Sequence, residues 1–188
     1  MSEAVSAMAG AKFNGAVRVS DAGLKGMITL RGDLTDEAVV AAVKLVTGQA
    51  MPKPRGVKEG KKGGVAWMSP DELLLLVEYD TADVAVEKLS AALADTHHLA
   101  VNVSDARAVF RLEGAGVREV IAKGSPADLS PEGLGLGEIR RSRLGQLAAA
   151  YWLSDAETMH VVCFRSVGEH VYNWLVNAAE EGTLPKVF

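Results

Sequence analysis

Apolar positions along the chain alternate between a period of two and a period near 3.6, and they run through that cycle twice. "GMITLRG", Gly26 to Gly32, reads as a strand carrying Met27, Ile28 and Leu30. Asp33 and Thr35 precede "DEAVVAAVKLVTGQA", where Val39, Val43 and Val46 recur at helical spacing and Gly48 supplies the stop. Met51 to Gly64, with two Pro, four Gly and five Lys or Arg, predicts a loop with no element of its own. "VAWM" and "ELLLLVEY" predict two strands joined at Ser69-Pro70-Asp71, where proline presets the turn. "TADVAVEKLSAALAD" is an amphipathic helix with Val84, Leu89 and Leu93 as its apolar line, and "HLAVNVS" is a strand. The order is β-α-β-β-α-β, a ferredoxin-like unit over residues 26–104.

The cycle restarts at "ARAVFRLEG", a strand, followed by the short helix "AGVREVIAKG" and the loop "SPADLSPEGLGLG". "EIRRSRLGQLAAAYWL" predicts one long strand bent near Gly145, then come the strand "TMHVVCFR" and a closing helix before Gly182. The expected fold class is therefore α+β, two ferredoxin-like units in tandem, with the second over 105–188 and both within one duplicated domain, 26–188. Residues 1–25 are small, Gly/Ala/Ser-rich and without a clean period, and are expected to form a mobile or draped arm.

The duplication can be tested by spacing. Trp67 and Trp152 stand 85 residues apart, as do Glu72 and Glu157. Gly32 and Gly114, each ending a strand before a helix, are 82 apart, and Ala91-Ala92 and Ala178-Ala179 are 87 apart. A small drift of offset is what loop changes between copies produce. "AWMSPDELLLLVEYD" and "AYWLSDAETMHVVCF" then become equivalent hairpins, their Trp residues packing on the helices behind each sheet.

Composition narrows the function classes. Of 188 residues, 48% are hydrophobic and 23% charged, an ordinary globular balance, and the net charge of −4 gives no reason to expect a nucleic-acid partner. No apolar run reaches the ~18 residues of a membrane span. The start lacks a basic and then apolar leader, so a cytoplasmic location is expected.

Candidate chemistry is sparse. Gly114-Ala115-Gly116 lies between a strand and a helix, but Glu119 stands where a dinucleotide turn has its third glycine, so a tight turn is expected instead. Adjacent His97 and His98 in extended chain point to opposite faces, and His160 and His170 lie in the second unit, so no metal site is expected. Cys163, the single cysteine, sits in an apolar strand as an inert thiol. No serine, histidine and acid form a recognisable catalytic motif. Two cationic groups remain. The loop bearing Lys53, Arg55, Lys58, Lys61 and Lys62 is either a solvated connector or a docking loop; it does not fit a P-loop, since Gly63-Gly64 leads into a strand. Arg140, Arg141 and Arg143 are either a solvated strand edge or an inter-subunit or anion contact, for which the planar guanidinium fork is suited. Arg141 and Arg143 share one face of a regular strand. The residues point to a scaffold that works through its surfaces.

"ITLRGDLTDEAVVAAVKLVTGQAMPKPR", "VAWMSPDELLLLV", "NVSDARAVFRLEGAGVREVIAKGSPADLSP" and "RRSRLGQLAAAYW" together resemble the gamma-subunit family of heterotetrameric sarcosine oxidase, from about Ile28 to the C-terminus. "WMSPDE" with "SDARAVFRLEG" also resembles the wider aminomethyltransferase superfamily of the glycine-cleavage T-protein, whose folate-binding core contains paired ferredoxin-like units. The resemblance implies a cytoplasmic complex of alpha, beta, gamma and delta chains. Such a complex oxidatively demethylates sarcosine to glycine with hydrogen peroxide, and with formaldehyde or methylenetetrahydrofolate. It implies FAD, FMN, NAD, tetrahydrofolate and zinc in the partner chains, and no cofactor, metal or catalytic residue in this one. No counterpart of the T-protein's barrel-like second domain is expected in this chain. The alternative is an independent folate-dependent aminomethyltransferase-like enzyme. A folate-binding iron–sulfur maintenance protein ranks last, because its K-G-C-Y-x-G-Q-E motif is missing.

Overall fold

The computed structural model describes residues 3–188, which divide into two compact units, Lys25–Asp105 and the stretch ending at Leu24 together with Ala106–Phe188. Each unit is one antiparallel sheet with two helices packed on a single face.

In Lys25–Asp105 the strands are β3 (Gly26–Gly32), β4 (Val57–Glu59), β5 (Gly64–Ser69), β6 (Glu72–Val77) and β7 (His98–Asn102), following β1 and β2 of the other unit. The helices are α1 (Glu37–Thr47) and α2 (Ala82–Ala92), and the sheet order is β4-β5-β6-β3-β7. With β4 set aside, that is the order of a ferredoxin-like sheet. Local chemistry accounts for α1. Asp36 caps it by accepting from the Ala38 N–H at 2.7 Å, and Gly48, at φ +72°, ends it with its N–H on the Lys44 carbonyl. Val39, Ala42, Val43 and Val46 of α1 and Ala85 and Leu89 of α2 pack on Ile28, Leu30, Val65, Leu73 and Leu75. Val84, expected on the buried line of α2, is 48% exposed. The line that is buried runs through Ala85, Leu89 and Leu93, at a strict spacing of four. The loop expected over Met51 to Gly64 contains β4, which pairs Val57 with Ala66 across the sheet. Three residues are too few for a period-two pattern to show in the sequence.

The other unit contains β1 (Lys12–Asn14), β2 (Arg18–Asp21), β8 (Arg107–Glu113), α3 (Val117–Ala122), β9 (Ile139–Leu144), β10 (Leu147–Asp155), β11 (Thr158–Phe164) and α4 (Gly168–Ala178). Its sheet order is β1-β2-β8-β11-β10-β9. The expected single strand bent at Gly145 is a two-stranded hairpin: Leu144 pairs with Leu147, and Gly145 turns the chain at φ +61°.

The segment expected as a mobile or draped arm supplies β1 and β2, and β2 pairs antiparallel with β8 from Arg18↔Glu113 to Asp21↔Phe110. Val17 and Val19 are buried in the helix-side core. The carboxylate of Asp21 anchors the stretch, accepting from Ser6 Oγ at 2.5 Å and from the N–H groups of Met8, Gly10 and Gly23 at 3.0, 3.1 and 3.1 Å. A period was hard to see because β1 is three residues long and β2 four.

With β1 set aside, the two sheets have matching strand orders, and the ladders set the offset. Leu73 lies opposite Trp67 and Met159 opposite Leu153; each member of the second pair follows its counterpart by 86 residues. Both hairpins carry a register irregularity at the same place, between Trp67 and Ser69 and between Leu153 and Asp155. The helices agree: Ala82, Ala85 and Leu89 of α2 and Gly168, Val171 and Leu175 of α4 are buried, again 86 apart. Gly32 and Gly114 keep the expected 82. The tryptophans and the alanine pairs therefore do not correspond. Trp67 matches Leu153 and packs on the helix side, whereas Trp152 matches Ala66 and points to the opposite face, where it is 1% exposed. A slip of one residue reverses the face of a strand side chain.

Candidate partner interface

The basic residues singled out as a candidate interface fall in different units, and six of them mark the two groups. Lys53, Arg55 and Lys58 belong to Lys25–Asp105, and Arg140, Arg141 and Arg143 to the other.

Lys53 to Gly56 is a tight turn closed by the Gly56 N–H on the Lys53 carbonyl at 2.8 Å. Pro54 occupies its second position, and Arg55, at φ +62°, holds the left-handed conformation that glycine normally takes there. Lys53, Arg55 and Lys58 are exposed. Two neighbouring lysines work locally. Lys58 Nζ donates to the Met51 carbonyl at 3.2 Å, and Lys62 Nζ donates to the Leu45 carbonyl at 2.5 Å, near the C-terminal end of α1. Arg55 is thus presented at the tip of a braced turn.

The three arginines of β9 separate by strand alternation. Arg140 lies opposite Tyr151, a helix-side core residue, so Arg140 points toward the helices. Its side chain is 12% exposed, pairs with Glu138 at 3.1 Å, and donates to the carbonyls of Gly133 and Ile139. It ties the 133–139 loop to the sheet. Arg141 and Arg143, opposite Ala150 and Ala148, share the other face and are exposed. Strand alternation therefore leaves these two as the pair presented together, and withdraws Arg140.

Other singled-out groups are structural. The Trp152 ring stacks on His160 with centroids 5.2 Å apart, and His160 Nε2 lies 3.2 Å from Ser154 Oγ; Trp152, nearly fully buried, offers no ring face to a ligand. Burial pushes the Cys163 thiol up to about 11, with Arg107 pulling the other way, so the thiolate is scarce at neutral pH. Gly114, at φ +133°, makes the strand-to-helix turn. Glu119 accepts the N–H groups of Lys186, Val187 and Phe188 at 2.6, 2.7 and 3.1 Å, fastening the tail rather than meeting a nucleotide. Among the described residues, no group of three or more His, Cys, Asp or Glu is placed to hold a metal, and no helix is long and apolar enough to cross a membrane.

The residue reading missed the exposed apolar side chains. Leu45 and Val84 border a groove of about 310 Å³ between α1 and α2, with Val46, Val77 and Ala85 in its lining and Lys62, Lys88, Glu78 and Asp80 also around it. Phe164 is 47% exposed beneath the Arg107 guanidinium, 4.4 Å from its ring centroid. Leu99 and Val101 of β7 are 50% and 41% exposed. The signal was present for β7, since "HLAVN" has apolar residues at three consecutive positions, more than a strand with one face in water requires.

Comparisons with known proteins agree over both units. The model of the sarcosine oxidase, gamma subunit family matches residues 31–181. The sarcosine oxidase subunit gamma of Corynebacterium sp. (strain U-96) is 30% identical over 149 residues, 78% of this chain and 72% of that protein. The structure is similar to a chain of the heterotetrameric sarcosine oxidase from Corynebacterium sp. U-96, solved in complex with pyrrole 2-carboxylate. That likeness has a TM-score of 0.79 at 25% identity and covers 89% of this chain and 87% of that one. The aminomethyltransferase T of the glycine cleavage system from Bartonella henselae shares the fold alone, with a TM-score of 0.60 at 11% identity over 84% of this chain and 45% of that one. With its duplicated ferredoxin-like sheets and a match running through both, this chain belongs to the sarcosine oxidase gamma subunit family.

Proposed function

We propose that the chain is a non-catalytic structural subunit of a heterotetrameric sarcosine oxidase. The assembly oxidatively demethylates sarcosine to glycine with hydrogen peroxide, and with formaldehyde or, where tetrahydrofolate takes the one-carbon unit, methylenetetrahydrofolate. Alpha, beta and delta chains are its partners, and FAD, FMN, NAD, tetrahydrofolate and zinc reside in them. The observation that carries this reading is the likeness of both units, over 89% of the chain, to a chain of a heterotetrameric sarcosine oxidase. The side chains favour it as well. Lys58, Lys62, Arg140 and Glu119 are engaged in loop and tail ties, while Arg55, Arg141, Arg143, Leu99 and Val101 are exposed.

Co-expression with the larger chains is expected to yield a flavin-coloured complex containing this chain in stoichiometric amount, visible on a denaturing gel. The chain expressed alone is expected to be colourless and prone to association through its exposed apolar residues. A stable monomer that ignores those chains in a pull-down refutes the proposal. Titration of tetrahydrofolate into the purified chain separates it from the aminomethyltransferase alternative. Saturable micromolar binding would favour independent folate chemistry, and a flat titration favours the subunit.

A further inference from the structure

The duplication leaves one position occupied in one sheet and open in the other. β2 and β7 are equivalent strands, for β2 pairs with β8 as β7 pairs with β3, and Glu113 and Arg31, partners of Arg18 and Leu99, keep the 82-residue offset. Outside β2 lies β1, with Phe13 opposite Val19 and the Asp21 N–H donating to the Ala11 carbonyl at 2.9 Å. Outside β7, among the described residues, the sheet ends.

The backbone of that open edge can be read from its ladder. The Val103 N–H donates to the Met27 carbonyl at 2.8 Å. Alternation along an antiparallel pair then directs the peptide groups of Leu99 and Val101 toward β3 and those of His98, Ala100 and Asn102 outward. Ala100 and Asn102 are the counterparts of Val19 and Asp21, the residues through which β2 receives β1. The side chains differ in a telling way. Where β2 carries Arg18 and Ser20, β7 carries the exposed Leu99 and Val101. Edges left in water are blunted by lysine, proline or a bulge, and β7 has none of these.

We propose that the outer edge of β7 is a strand-addition site, filled by an extended segment of another chain of the sarcosine oxidase assembly. The segment runs antiparallel to β7, pairs its backbone with Ala100 and Asn102 as β1 does with Val19 and Asp21, and sets apolar side chains beside Leu99 and Val101. The proposal rests on the subunit reading above. The strand seated at the equivalent edge, β1, is unlike β2 in sequence, so the precedent within this chain is pairing between dissimilar strands.

Hydrogen exchange resolved to single amides in the co-purified complex tests this. The Leu99 and Val101 amides, bonded to β3, serve as internal controls and are slow in every case. The Ala100 and Asn102 amides are expected to be about 100-fold or more slower than in unstructured chain. Ala100→Pro, which deletes one outward N–H, is expected to weaken association with the larger chains on the order of tenfold. The double variant Leu99→Lys with Val101→Lys, which alters only exposed side chains, is expected to do likewise while the circular dichroism of the chain stays unchanged. Free exchange of Ala100 and Asn102 in a complex that still co-purifies overturns strand addition and leaves the subunit reading standing. Failure to co-purify at all overturns both. Concentration-dependent protection of the same amides in the chain alone identifies a second copy as the occupant and overturns the assignment to a different chain.

Discussion

The unit Lys25–Asp105 closes its sheet with β7, which follows α2 directly in sequence, whereas the other unit closes its sheet with β2, which precedes every other strand but β1. Both strands lie antiparallel to the first strand of their own unit's βαββα run, β3 or β8; β2 buries Val19 in its helix-side core, and β7 packs the partly buried Ala100 against its own. The plan thus demands a strand at a place, not at a point in the chain. The chain after α4 does not supply one, and the residues before β3 do. The comparison also explains why one outer edge is sheathed and the other is not: the segment that brings β2 brings β1 with it.

Four experiments sharpen or break this comparison, in descending size of effect. Deleting residues 1–24 removes Val17 and Val19, both within 1% of complete burial, and uncovers the β8 edge. The lost burial alone is about 3–6 kcal/mol, enough to abolish cooperative unfolding of that unit in a thermal melt. A deletion that melts as the full chain does would show that β2 is dispensable.

The tryptophans come next. Trp152→Ala empties a fully buried site and is expected to cost about 3–5 kcal/mol in denaturant unfolding. Trp67→Ala, at a partly exposed position on the opposite type of face, is expected to cost roughly half as much. Equal losses would favour the 85-residue equivalence over the 86-residue one.

Asp21 gives a pH signature. Burial raises its carboxyl, but hydrogen bonds from Ser6, Gly10, Gly23 and Met8 outweigh that and hold it below the ordinary 3.8. A depressed carboxyl stabilises the fold above its unfolded value, and that stabilisation is lost as pH falls through the folded value. Asp21→Asn is therefore expected to cost about 1–3 kcal/mol at neutral pH, and the gap to the natural chain should narrow as pH falls below 3.8. A gap that does not change with pH would remove the carboxylate from its anchoring role.

The smallest effects separate the β9 arginines. Arg140→Ala releases the loop it ties and is expected to cost about 1–2 kcal/mol. Arg143→Ala is expected to stay within about 0.5 kcal/mol in stability and to show its effect in association with the larger chains. The reverse pattern would contradict the facing assigned by the ladder.

Much of the fold was legible in the sequence, and particular residues show why. Val39, Val43 and Val46 repeat at helical spacing, Asp36 and Gly48 cap that helix, and Gly32 and Gly114 end equivalent strands at the offset the ladders keep. These are local signals, carried by neighbours along the chain. The candidate interface was legible in part: Arg141 and Arg143 were expected to share a face, and they do. That Arg140 is tied down on the other face was not legible, because its loop partners Gly133 and Glu138 meet it only once the 133–139 loop folds back.

The type of nearly every longer element and the family resemblance are legible in the sequence alone, since periodicity, caps and motifs are properties of consecutive residues. Only the folded chain reveals that β2 pairs beside β8, that the repeat is 86 rather than 85 across the hairpins, and that β7 has an open edge where β2 has a covered one. Each of those rests on backbone pairing between segments distant in sequence. The hydrogen bonds of a sheet are set by which strands meet and in what register, and a short run of side chains does not specify its partner.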